Sequence, residues 1–331
     1  MQQTAWQIYF AACTPQGGIY HYRLDGGGFH PAGRTVCDRP MYMALDEGVL
    51  YVLLRQPLAG SAHSALARYA VGGPQQGFAL APLPPLRDTG GECACHLCRL
   101  AGHTYGVNYL SGSVFSASGL LAQHTGRGPD PVRQNAPHPH SVTPTPDGRY
   151  LMCADLGLDR IFLYSPSLKL LGQTDLAPGS GPRHLAVLSP GWAACINELA
   201  CTVTLLRYEG GPGAPRLVPA QSLPLLGRAP RGDTAAALRF QNGVLYASVR
   251  GADTVTVFGW DGERLHPMAR QGSGGRSPRD LLPVGGFLLC MNEASSTAAA
   301  FLLGPDGVPA QKPEALLKIP AVLNACALQT G

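Results

Sequence analysis

This chain has little charge for its length. Asp, Glu, Lys and Arg make up 14% of its 331 residues, and the formal balance at neutral pH is +4. There is no run of five like charges and no basic stripe with interleaved aromatics, so no nucleic acid and no membrane surface is expected as a partner. No stretch is apolar for the roughly 18 residues that a membrane-spanning helix needs. The first residues, Met1-Gln2-Gln3-Thr4-Ala5-Trp6, lack the basic region and apolar core of a secretory signal, which points to the cytoplasm.

Cysteine is not scarce, but its placement argues against a disulfide framework. Several of the ten cysteines fall inside apolar strand-like runs, as Cys153, Cys195, Cys290 and Cys326 do, where the thiol serves as a small buried hydrophobe. Cys93-Ala94-Cys95-His96-Leu97-Cys98 is too closely spaced for a zinc ribbon, and no second Cys/His pair is positioned to complete four ligands. Neither a metal nor another cofactor is therefore expected, and Cys95-His96 reads as the opening of a strand.

What the chain has in abundance is Gly, at 42, and Pro, at 30, together with 45% apolar residues. Disordered chains rich in Gly and Pro lack that apolar share. The combination reads as many short strands joined by turns. Seven such hairpins can be laid over one another. In each, the second strand is an apolar run closed by one variable residue: Cys13, Arg55, Tyr109, Asp155, Glu198, Arg250 and Glu293. A strand repeat of roughly 40–50 residues is the signature of a β-propeller blade. The fold class is all-β, a seven-bladed β-propeller, and residues 1–331 read as one domain.

The two ends complement each other. The C-terminus supplies a first strand, Ala321 to Leu328, and stops. The N-terminus begins at a second strand, Trp6 to Ala12, and continues into a third, Ile19 to Leu24. Joined, they make a composite closing blade that leaves no long exposed edge.

An antiparallel hairpin sets the start of its first strand beside the end of its second. Symmetry about each turn then pairs Arg183 with Glu198, His140 with Asp155, Arg279 with Glu293 and Cys95 with Tyr109, and brings Arg250 near Thr234 and Asp233. All these positions fall on one face of the ring, near its axis. Arginines so placed hold carboxylate or phosphate oxygens, and a carboxylate among them can accept a proton. Each member also has a plain structural reading. Arg183–Glu198 and Arg279–Glu293 can be ion pairs that tie strands, His140 a satisfied core histidine, and His138 a loop residue. His184 follows Arg183, so strand alternation points it to the opposite face.

His138-Pro139-His140-Ser141, Pro146-Asp147-Gly148-Arg149-Tyr150-Leu151 and Ala154-Asp155-Leu156-Gly157-Leu158-Asp159-Arg160 resemble the seven-bladed propeller lactonases. That family includes propeller-type 6-phosphogluconolactonases and the carboxy-cis,cis-muconate cyclase. Gly181-Pro182-Arg183-His184-Leu185, Ile196-Asn197-Glu198-Leu199 and Pro278-Arg279-Asp280 strengthen the resemblance. The family's proposed site of one histidine, two arginines and one glutamate falls on His140, Arg183, Arg250 and Glu198. The resemblance implies a hydrolase of carbohydrate metabolism, without metal, that opens a sugar lactone, 6-phosphogluconolactone first. Its substrate would be a small anionic lactone, and the protein a monomer or weak homo-oligomer.

In that reading Glu198 is the general base, His140 orients or protonates, and Arg183 and Arg250 hold the oxyanion or phosphate. Arg279, Asp155, Tyr109 and His184 complete the substrate pocket. Burial at a strand end raises a carboxyl's pKa and two arginines lower it, so the net direction at Glu198 stays open. A cycloisomerase of the muconate-cyclase type and a non-enzymatic binding scaffold are the alternatives. The chain departs from the family at Ala237, where relatives carry an acid after two alanines and Asp233 could stand in, and at Pro320-Ala321-Val322-Leu323-Asn324.

Overall fold

The computed structural model describes residues 5–211 and 214–330. Seven antiparallel sheets account for the strands. Their inner strands are Pro40–Asp46, Ala94–Leu100, Pro139–Pro144, Pro182–Ser189, Thr234–Gln241, Pro278–Val284 and Val322–Thr330, which we number as blades 1 to 7. Six sheets have four strands. Blade 1 adds a short fifth, Arg87–Asp88. Among the described residues no helix is long and apolar enough to cross a membrane.

The ring closes as its ends predict. In blade 7 the C-terminal strand pairs with Ala5–Ala12, with Trp6 opposite Gln329 and Phe10 opposite Ala325. Gly18–Asp25 and Gly28–Thr35 follow outwards in the same sheet.

Burial explains why second strands read as unbroken apolar runs rather than alternating ones. Each is covered on both faces by neighbouring blades, so Leu151–Asp155 is buried at every position, whereas the outer strand Leu170–Asp175 is not. The apolar core is divided into seven clusters, one per seam between blades. Ile196, Val203, Leu245 and Phe258 fill the seam of blades 4 and 5. Ile8, Phe10, Leu289 and Met291 fill the closing seam of blades 6 and 7. A side chain buried as fully as Phe258 contributes roughly 1.5–3 kcal/mol.

One feature of every inner strand sets up the site. Near its start each strand carries a β-bulge, an extra residue that leaves the ladder. In blade 4, Pro182 pairs with Asn197 and His184 with Ile196, so Arg183 is the extra residue. The same shift isolates Met41, Cys95, His140, Arg279 and Leu323 in their blades, and falls at Ala236-Ala237 in blade 5. The hairpin symmetry is therefore off by one at these points. Pro139, not His140, is the ladder partner of Asp155.

Candidate active site

The bulge residues meet at the axis. Met41, Cys95, His140, Arg183, Arg279 and Leu323 line one narrow cleft, with Tyr42, His184 and Asp280 below them. The bulge also corrects the expectation for His184. An extra residue breaks strand alternation, so Arg183 and His184 face the same cleft rather than opposite sides.

Glu198 is the electrostatic centre. Its carboxylate is almost fully buried and meets three guanidiniums: Arg133 Nη2 lies 2.5 Å from Oε1, and Arg183 Nε and Arg250 Nη2 lie 2.8 and 3.0 Å from Oε2. Burial by itself would raise this carboxyl, but Arg250, Arg183 and Arg133 together outweigh it and hold it at about 2. Arg183, itself buried, is pushed downward by burial first and then by Arg250. It also donates to the Ala236 carbonyl at 2.6 Å. The cleft thus holds more guanidinium than carboxylate, which favours an anionic occupant.

Arg133 lies outside every hairpin, on the connection between blades 2 and 3. Asp130 Oδ1 accepts the backbone N–H groups of Val132 and Arg133 at 2.8 and 3.0 Å. The next residue, buried Gln134, donates to Asp159 Oδ1 at 2.8 Å. That same oxygen accepts the Gly181 N–H at 2.7 Å, and the Gly181 carbonyl accepts the Glu198 N–H. Asp159 therefore fixes both sides of the clamp. Gly181 must be glycine: its φ is +62°, and a Cβ would come within 2.5 Å of Leu199.

Three histidines pack edge to face under the arginines. His184 lies 5.2 Å from His96 and 5.5 Å from His140, ring centre to ring centre. Arg183 Nη1 donates to His184 Nε2 at 3.3 Å. Burial first, then Arg183, holds His140 and His184 well below the usual histidine range. Burial and Arg239 lower His96 to about 3. All three are held neutral at physiological pH; His140 and His184 line the cleft, and His96 packs behind them against His184 and Tyr42. Beneath them Arg239 meets Asp280 at 2.7 Å, and Asp280 accepts from Asn324 at 2.6 Å.

His140, Arg183, Glu198 and Arg250 therefore come together as their sequence positions suggest. Arg279 reaches the cleft and lies 3.5 Å from Glu293, a loose pair. Tyr109 borders the site, hydrogen-bonded to Arg133 and stacked on His138 at 4.5 Å. Asp155 is a correction. It is fully buried, its Oδ2 lies 2.5 Å from His124 Nδ1, and its Oδ1 accepts the N–H groups of His138 and Gly157. Its oxygens are spent on holding the loop ahead of His140, so it serves as a tie and not as a substrate contact. Asp233 is likewise occupied, by Arg228 at 2.6 Å, and does not replace the acid absent at Ala237.

The thiols of the 93–98 cluster are shared between two seams, Cys93 packing between blades 1 and 2 and Cys95 and Cys98 between blades 2 and 3. Cys95 lies against the His140 carbonyl at 3.4 Å. A wider crevice of about 760 Å³ opens between blades 6 and 7, lined by Trp6, Phe287, Asp25 and Glu314. It offers carboxylates and no arginine, so the chemistry points to the axis instead.

A sequence model described as lactonase, seven-bladed beta-propeller, matches residues 7–312. The chain belongs to this lactonase family. It is 33% identical to the 6-phosphogluconolactonase of Bacillus subtilis over 190 residues, a match that spans 54% of each chain and so about half the length of that relative. Among solved structures it is similar to a Bacteroides fragilis protein described as a candidate 6-phosphogluconolactonase, with 25% identity, a TM-score of 0.84 and 98% of both chains covered. It is equally similar to a periplasmic gluconolactonase of Pseudomonas aeruginosa, with 25% identity, a TM-score of 0.85 and 98% and 99% of the two chains covered. One of these names carries a phosphorylated lactone and the other an unphosphorylated one. The family is shared, and the names differ in the lactone they carry.

Proposed function

We propose that this chain hydrolyses a sugar lactone to its open acid, with 6-phosphogluconolactone as the first candidate substrate. The observation that carries the reading is the charge imbalance at the axis. Arg133, Arg183 and Arg250 meet the one buried carboxylate of Glu198, and Arg279, only loosely paired with Glu293, lines the same cleft as the neutral imidazole of His140, while Asp280 is offset by Arg239. Lactone opening by water develops negative charge on the carbonyl oxygen, and fixed guanidiniums in a dry cleft favour that charge. The cleft floor holds only about 10 Å³, so the sugar ring would lie above it, against Arg133 and Arg250.

The base is assigned differently from the sequence reading. Both Glu198 oxygens are taken by arginines, and the same arginines depress its proton affinity. Such a carboxylate is a poor acceptor and a good organiser of guanidiniums. His140 is neutral, lines the cleft, and makes no hydrogen bond through Nε2 to any described residue. In the mechanism we favour, His140 accepts the proton as water attacks the carbonyl carbon. Arg183 and Arg250 stabilise the oxyanion. The acyl–oxygen bond then breaks, and the ring oxygen leaves with a proton as a hydroxyl. Because Arg183 and Arg279 help to depress His140, an anion bound among them raises its basicity when it is needed.

The test is hydrolysis of 6-phosphogluconolactone, δ-gluconolactone and a muconate lactone by the purified protein, against spontaneous opening. The expected result is acceleration of the sugar lactones, removed by roughly 100-fold or more in His140→Gln. Opening of the muconate lactone alone, by proton abstraction to the isomeric diene acid with no water taken up, would favour the cycloisomerase reading. No rate above background on any of the three would leave a binding scaffold.

A further inference from the structure

Three arginines outside the axial site converge on a notch at the other end of the blades. It lies between blades 1 and 2 at their hairpin-turn end, away from the bulges, and holds about 240 Å³. Arg68 comes from the third strand of blade 1, Arg87 from that blade's extra strand, and Arg99 from the inner strand of blade 2. His103 and Ser118 complete the wall.

Each guanidinium is held, and each has donors left over. Arg99 Nε lies 2.8 Å from Asp46 Oδ2, its Nη1 donates to Thr104 Oγ1 at 2.9 Å, and its plane sits 4.5 Å over the Tyr51 ring. Arg87 Nη1 donates to the Ala117 carbonyl at 2.9 Å. Arg68 Nη2 donates to the Pro84 carbonyl at 3.1 Å, while its buried Nε has no partner. A guanidinium carries five donors in a fixed fork, so these contacts use a minority of them. Among the described residues one carboxylate, Asp46, pairs with any of the three arginines. Arg68 and Arg87 are held by carbonyl oxygens rather than carboxylates, so two charges have no acidic partner among the described residues, Arg68 half-buried and Arg87 exposed at the mouth of the notch.

We propose that this notch binds a phosphate monoester, on a small sugar or sugar acid, independently of the axial site. A doubly charged phosphate matches the excess of two, and its oxygens suit bidentate guanidinium contacts. The volume falls just below the usual range of roughly 300–1,000 Å³ for drug-sized ligands, which sets the occupant small. Tyr51 and the backbone of the turn at Gly102 flank the arginines and offer the sugar a surface.

The experiment is calorimetric titration of the whole protein with glucose 6-phosphate and, in parallel, with inorganic phosphate and glucose. Arg68→Ala/Arg87→Ala leaves Arg99 and its Asp46 partner in place. The expected result is loss of one binding equivalent for glucose 6-phosphate, or at least a tenfold weaker site. Thermal stability and lactone turnover should stay unchanged. Arg250→Gln should retain the notch equivalent, so failure of the axial reading and failure of this one are separable. Equal stoichiometry and affinity in the double variant would overturn the proposal, as would equal binding of glucose. Should the double variant unfold, Arg68→Gln alone must still weaken glucose 6-phosphate. If it does not, the arginines only staple the two blades.

Discussion

The bulge ring divides the molecule in two. Blades 2, 3, 4 and 6 place Cys95, His140, Arg183 and Arg279 at the bulge, while blades 1, 5 and 7 place Met41, Ala236 and Leu323 there. All seven inner strands carry a register shift at this level, one residue leaving the ladder in six blades and the Ala236-Ala237 pair in blade 5. The fold therefore supplies seven stations facing the axis, and the side chain decides which carry chemistry. The apolar stations are not idle. Ala236 has no side chain beyond Cβ, so Arg183 can approach its carbonyl at 2.6 Å and stay buried. Met41 and Leu323 give one side of the cleft an apolar wall, and an apolar wall strengthens the charges on the other side.

The largest expected effect comes from the centre of the polar half. Glu198→Gln keeps the shape and leaves three guanidiniums without their shared countercharge. Turnover of the lactone should fall by roughly 100-fold, a usual share for a group that organises or transfers protons in the transition state. An organising role predicts that KM changes along with kcat, because Arg133, Arg183 and Arg250 are released from their positions. A collapse of kcat with KM untouched would instead return the base role to Glu198. Steady-state kinetics of the variant at two pH values separates the two.

That divided centre was largely legible in the sequence, for a physical reason. His140, Arg183, Glu198 and Arg250 all sit at strand ends, and strand ends are what a repeat alignment locates. The closing blade was legible because an unpaired first strand and an unpaired second strand have one economical solution. What escaped lies off the repeat. Arg133 belongs to a connection with no counterpart in other blades, and its position depends on buried Gln134 and Asp159. Asp155 looked like a cleft residue because its partners, His124 and the loop N–H groups, lie outside its own hairpin. His184 was set on the wrong face by strict alternation. A signal for the bulge did exist: Pro40, Pro139, Pro182 and Pro278 each open an inner strand one residue before it. Proline has no N–H for the ladder and is tolerated at a strand's first residue or at a bulge.

A second, smaller effect sharpens the comparison through pH. His96, His140 and His184 are all held below their unfolded value near 6.5, with His96 at about 3. As pH falls below 6.5 the unfolded chain takes up protons that the folded chain refuses. Stability is therefore complete above about 6.5 and is lost progressively as pH falls, down to about 3 for His96. The loss is up to about 1.4 kcal/mol per histidine for each pH unit. Glu198 adds its own loss only below its ordinary value of 4.5, towards about 2, as its folded pKa is depressed. Urea midpoints should drop steadily between pH 7 and pH 5, and His96→Gln should make that slope shallower. A flat profile would mean that the histidines take up protons in the folded state, and the neutral imidazole assigned to His140 would be wrong.

The smallest effect should come from the apolar half. Met41→Leu and Leu323→Met keep the volume and polarity of their stations, and swaps of this kind usually cost below about 1.5 kcal/mol. If these residues only exclude water, lactone turnover should stay within about twofold, and the acid-stability slope should be unchanged. Met41→Gln tests the same point from the other side. Gln is close in size but brings hydrogen-bonding groups that hold water beside Arg183 and Arg279. Screening by that water should weaken the guanidiniums' hold on a developing oxyanion, so kcat should fall by roughly 10-fold while the fold survives. If Met41→Gln were as active as Met41→Leu, dryness on the apolar side would contribute nothing. The polar stations would then be the whole of the site, and the division of the ring would be one of side-chain identity without an electrostatic consequence.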